Sequence, residues 1–163
     1  NQNQKIMKQI LIFLFTTVSL LTAFFVLQPV IYSFYNNRKA VQGITQKTLK
    51  VGNSTFKVEV ADDHISRSQG LSGRDKLEEN HGMFFIFDVP RYHTFWMKGM
   101  KFPLDFIWIR GNEVVGTTEN VQPPTSPLPQ QIIRPPQVVD KVLEINAGKV
   151  SKEKLKEGDY VSF

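Results

Sequence analysis

Two kinds of hydrophobic pattern divide this chain. From Ile10 to Leu27 it reads ILIFLFTTVSLLTAFFVL, without a charge and without a period. A helix of that stretch is apolar on every face, and at about 1.5 Å per residue it is just long enough for a hydrocarbon core. Tyr32 and Tyr35 follow at positions that suit an interfacial aromatic belt. The pattern predicts one N-terminal transmembrane helix within 1–35. A retained signal anchor fits better than a cleaved signal peptide, because the run is long and no small-x-small site follows Leu27. Lys5 and Lys8 place the N-terminus on the cytoplasmic side, and the rest of the chain outside the cytoplasm. With cleavage the product is secreted instead. Residues 36–47 are polar and aperiodic and read as a linker.

From residue 48 to 163 the pattern changes to short runs punctuated by turns, and this stretch reads as one domain. Phe56, Val58 and Val60 alternate with Lys57 and Glu59, as in a strand with one wet face, and Gly52-Asn53 joins it to Thr48–Val51 as a hairpin. Asp62 or Asp63 caps a short helix toward Leu71. Met83–Phe87 is a continuous apolar run, consistent with a fully buried strand. Further strands are expected over Thr94–Lys98, Asp105–Ile109, Glu113–Glu119, Val138–Asn146 and Tyr160–Phe163. Ser151 is the expected cap of a short helix to Lys156. Six of the nine prolines lie between Asn120 and Pro136, which predicts an extended surface loop. The expected fold is mainly β, a compact sandwich or barrel-like domain of about eight short strands with one or two short helices. An α+β layering is the alternative.

Composition narrows the chemistry. The absence of cysteine excludes disulfides, thiol catalysis, lipidated cysteine and thiolate metal sites. Setting aside Lys5 and Lys8 leaves 18 basic residues of 20 against 15 acidic, interspersed, so no nucleic-acid partner is expected. His64, His81 and His93 have no metal-ligand spacing. No nucleophile elbow, phosphate loop or dinucleotide fingerprint occurs, and no cofactor is expected.

Several motifs in order resemble domain-of-unknown-function family 192 over about 50–163. They are Arg67 with Gly70-Leu71 and Arg74, Gly82-Met83-Phe84-Phe85, and Phe95-Trp96-Met97-Lys98. Pro103-Leu104-Asp105, Val142-Leu143-Glu144 with Gly148, and Gly158-Asp159 complete the set. Where the family commonly has Trp-Met-Lys-Asn, this chain has Trp96-Met97-Lys98-Gly99, and where it commonly has Gly-Leu-Met, Gly70-Leu71-Ser72 stands. The resemblance implies a compact, mainly β domain and no established reaction.

The candidate site residues are Arg67, Arg74, Trp96, Lys98, Asp105 and Glu144: cations to hold a polar ligand, and a flat ring to stack on it. In the structural alternative, Arg67 or Lys98 pairs with Asp105 or Glu144 at the edge of the core and Trp96 is packing. The favoured reading is a membrane-anchored, extracytoplasmic, non-enzymatic domain that binds a small molecule or polysaccharide of the cell envelope. A second is a carbohydrate hydrolase using Asp105 with Glu119 or Glu144. A third is a partner module for a membrane protein, docking through an apolar patch near Leu128–Ile133.

Overall fold

The computed structural model describes residues 2–42, 46–126 and 131–163, which fall into two units, 1–43 and 44–163. The first is a single helix, α1 (Gln2–Gln42), continuous through Pro29 and through residues 36–42. Phe13, Leu14, Phe15, Phe24, Phe25, Val26 and Leu27 are all exposed on it. Among the described residues no helix is long and apolar enough to cross a membrane. The transmembrane helix expected within 1–35 is therefore not found among them.

In the second unit, β1 (Gln46–Val51) and β2 (Ser54–Ala61) form the expected hairpin, turned at Gly52 in left-handed backbone. The short helix α2 (His64–Gln69) then carries the chain over to β3 (His81–Arg91), which runs parallel to β2. Next come β4 (Phe95–Trp96), β5 (Leu104–Arg110) and β6 (Glu113–Val121). Within the proline-rich stretch, β7 (Ile132–Ile133) pairs with β4 as a separate two-stranded sheet. The chain ends with β8 (Val139–Asn146), α3 (Lys149–Glu153) and β9 (Val161–Ser162).

Seven strands make one sheet in the order β6-β5-β8-β3-β2-β1-β9. Its two edges meet at one end: Val114 N donates to Asp159 O (2.9 Å) and Val161 N to Asn112 O (2.8 Å). The sheet is thus a curled half-barrel. Of the two expected forms, sandwich and barrel-like, the sandwich is not found, because among the described residues no second large sheet faces this one and the edges turn toward each other instead.

Both faces of the curled sheet are covered, which explains the unbroken apolar runs in β3 and β5. The concave face holds Leu49, Val58, Phe84, Ile107, Leu143 and Ile145, with Val150 and Leu155 from around α3. On the other face lie Met83, Phe85, Phe106, Trp108 and Val142, under Leu71, Met97, Met100 and Ile133. α3 begins after Gly148, in left-handed backbone, with Ser151 inside it and not at its cap. The helix is tied back by Lys149, whose ammonium reaches Asn80 Oδ1 (2.8 Å) and Glu79 Oε1 (3.1 Å). Lys152 also donates to Glu79, and the two hydrogen bonds hold that carboxyl down at about 2.

Candidate functional site

The loops over the convex face enclose a cleft of ≈ 410 Å³. Its roof starts with α2, whose N-terminus is fixed by Asp63: Oδ1 accepts from Ile65 N (2.7 Å) and Ser66 N (3.0 Å). These bonds, led by the one from Ser66, hold the Asp63 carboxyl below its ordinary range. Arg67 ties the helix down. Its Nη1 donates to the carbonyls of Asp62 (2.6 Å) and Ile86 (2.7 Å), and its guanidinium lies 5.4 Å from the Phe87 ring centroid. The following turn is stitched to the β4–β5 loop by Ser72 Oγ on Lys98 O (2.6 Å) and Gly73 N on Gly99 O (2.9 Å).

The walls are mostly apolar: Leu71, Met100, Ile132 and the rings of Phe85, Phe87, Phe95 and Trp96. Phe95 stands edge-on to Phe85, with centroids 5.1 Å apart and planes at 86°. Phe87 also carries His93, stacked at 3.7 Å. Trp96 is 56% exposed at the mouth, across β4–β7 from the exposed Ile132. His64, Ser68, Gln69, Ser72 and Thr94 supply the polar lining.

Glu144 also lines this cleft. It sits in the central strand β8, paired with Met83 of β3 and Phe106 of β5, on the same face as Val142. The residue is 5% exposed. Among the described residues no donor and no cation reaches its carboxyl. Burial alone pushes it up to about 8, so at neutral pH it is mainly the protonated acid.

Of the residues expected from sequence, Arg67, Trp96 and Glu144 come together at this cleft. The other three lie elsewhere. Arg74 is engaged by Glu59 in a two-pronged pair, Nη1–Oε1 at 2.5 Å and Nη2–Oε2 at 2.6 Å. Lys98 is exposed, and it is its backbone carbonyl that meets Ser72. Asp105 is fully buried on the concave side, where Oδ1 accepts from Asn120 N (2.8 Å) and Oδ2 from Val150 N (2.9 Å).

Neither expected charge pair forms. Arg67 takes carbonyls in place of a carboxylate, and Asp105 is satisfied by backbone amides in place of Lys98. Nor do the paired carboxylates of the hydrolase reading assemble: Asp105 and Glu144 occupy opposite faces of the sheet, and Glu119 is exposed. Leu128 and part of its expected patch lie outside the described residues. Sequence reasoning missed Phe87 and Phe95 as cleft walls. Their signal was present in the aromatic density of 84–96, but whether such rings line a core or a cleft depends on what α2 leaves uncovered.

A curled mainly β half-barrel with a capped, aromatic-walled cleft is the class that this fold and site define. The chain belongs to the DUF192 family, described as an uncharacterised ACR, whose profile matches residues 45–163. Two crystal structures are similar. One, from Sinorhizobium meliloti 1021, is provisionally described as a transcription regulator; it shares 30% identity at a TM-score of 0.67, over 73% of this chain and 94% of its own. The other, from Novosphingobium aromaticivorans DSM 12444, is a protein of unknown function with 27% identity and a TM-score of 0.68, over 76% and 89% of the two chains. No curated protein matches.

Proposed function

We propose that the domain is a non-enzymatic binding module that takes a small ligand of the cell envelope into the cleft between α2 and β4, with Glu144 as its polar contact. The observation that carries this reading is the Glu144 carboxyl, 5% exposed, lining a cavity and met by no protein partner among the described residues. A buried acid without a partner is a net cost to folding, and an apolar residue would serve the sheet better there. A ligand that supplies the missing partner gives the cost a purpose. The apolar walls favour a ligand with an apolar body and one polar group over a many-hydroxyl polysaccharide. Trp96, exposed at the mouth, offers a surface for stacking.

The envelope setting rests on α1, with its uncharged run Ile10–Leu27 and its exposed Phe13, Phe15, Phe24 and Phe25. In this reading α1 attaches the domain to a membrane and the cleft faces the extracytoplasmic side. The regulator description of the Sinorhizobium relative is not carried over, because the charges here are interspersed and form no basic run.

Chemical-shift mapping of the full chain against a library of fragment-sized compounds tests the site. Binders are expected to move the Met100 methyl and Phe95 ring resonances, and Trp96→Ala is expected to weaken them several-fold while the fold persists. Hits that map consistently away from the cleft, with Met100 and Phe95 unmoved, would overturn the proposal.

A further inference from the structure

Resting on the reading of the cleft as a ligand site, we propose that its ligand is an organic ammonium ion, seated among Phe85, Phe95 and Trp96 with Glu144 as its counter-ion. The geometry has the two components that such a cation needs. Aromatic faces carry negative charge density and attract an ammonium group within about 6 Å, most strongly where water is excluded. Among the described residues Phe85 of β3 and Phe95 and Trp96 of β4 line this cleft and carry no cation, whereas Phe87, the fourth ring, is stacked with His93 and covered by Arg67. The second component is a carboxylate to balance the charge. Glu144 is the acidic residue lining the cleft, and nothing among the described residues competes for it.

Other ligand charges use this arrangement less well. A neutral ligand can accept one hydrogen bond from protonated Glu144 and draws nothing from the ring faces beyond contact. An anion gains nothing from the rings and is repelled once Glu144 ionises. Among the described residues the titratable groups that line the cleft besides Glu144 are His64 and Arg67, both from α2, and β3, β4, β5 and β7 contribute none. Arg67 is already engaged by the carbonyls of Asp62 and Ile86 and lies over Phe87, 5.4 Å from its centroid, so that ring is taken and Phe85, Phe95 and Trp96 are left to the ligand. His64 is exposed.

Binding then carries a proton balance. With the free carboxyl held up at about 8, cation binding at neutral pH converts Glu144 from acid to carboxylate and releases one proton to solvent. Affinity for a permanent cation therefore rises with pH, up to tenfold per unit, until about 8, and is flat above. A ligand that accepts a hydrogen bond from the acid shows the reverse, losing affinity as pH passes 8.

The test uses the full chain in nanodiscs of anionic lipid free of choline headgroups, titrated with phenyltrimethylammonium chloride, benzyl alcohol and sodium benzoate. Calorimetry and the Met100 methyl resonance report binding between pH 6 and 9. The expected result is binding of the ammonium compound at the cleft, tightening toward pH 8 with release of a proton. Glu144→Gln, which keeps the side-chain shape, is expected to weaken it at least tenfold at pH 8.5 and to abolish the pH dependence. Trp96→Ala is expected to weaken it several-fold with the pH dependence intact. Equal affinity in wild type and Glu144→Gln, or a flat pH profile in wild type, would overturn the inference. Binding of benzyl alcohol or benzoate without the cation would overturn it while leaving the cleft a ligand site. Silence of Met100 toward all three compounds would sink both.

Discussion

Glu144 couples the cleft to the stability of the domain through its proton. Its carboxyl titrates near 4.5 when unfolded and about 8 when folded, so between those values the folded state holds a proton that the unfolded state has released. Stability therefore falls as pH rises from about 4.5 to 8 and levels off above, by at most about 5 kcal/mol for a shift of that size. Glu144→Gln should remove this slope and be the more stable protein at pH 8.5; urea midpoints measured from pH 5 to 9 check it, and parallel slopes in both proteins would contradict it. Asp105 behaves differently, because its two oxygens are acceptors for the amides of Asn120 and Val150. Asp105→Ala strands both donors and should cost about 3–5 kcal/mol by chemical denaturation, with Asp105→Asn, which keeps one acceptor, costing roughly half. Trp96→Ala should change stability by less than about 1 kcal/mol, since the core tryptophan is Trp108, fully buried with its indole N–H on Thr118 Oγ1 at 2.9 Å.

At the scale of elements, β3 and β8 approach most closely on the concave side of the sheet. Gly82 faces that seam: a Cβ there would lie 2.7 Å from the Glu144 carbonyl oxygen and 2.9 Å from Leu143 Cδ1. Backbone on one side leaves little room to yield, so Gly82→Ala should destabilise the domain by about 1–3 kcal/mol, read from its thermal midpoint. Most strands were legible as elements because alternation and turn residues mark them, Phe56–Val60 most plainly. Their pairing was not, because the parallel β2–β3 contact depends on where α2 returns the chain to the sheet, and a helix expected from its Asp cap does not say which strand its successor will lie beside. Gly99 shows the same limit from another side. It has φ +73°, a conformation that asparagine tolerates better than most residues, so Gly in place of the family's Asn meets a backbone requirement without any polar side chain.

For the whole molecule, the half-barrel has one closed end, around Asn112–Val114 and Asp159–Val161, and carries its cleft on the outer face. Half of the expected site residues, Arg67, Trp96 and Glu144, gather there, because they lie on segments that cover or form that face. The charged motifs looked alike in sequence, yet strand parity sends Asp105 to the concave side and Glu144 to the cleft, and parity is fixed only once the register with β5 is known. The N-terminal unit carries a separate expectation: the full chain should sediment with lipid vesicles and a variant lacking 1–43 should remain in the supernatant, with equal partition contradicting a role for α1 in attachment. The central claim, a solitary acid buried in a ligand cleft, is tested most directly by following the Glu144 carboxyl carbon by NMR in the full chain as pH is varied, assigned by its loss in Glu144→Gln. A midpoint near 8 is the expected result. A midpoint near 4.5, that of an ordinary carboxylate in water, would contradict it.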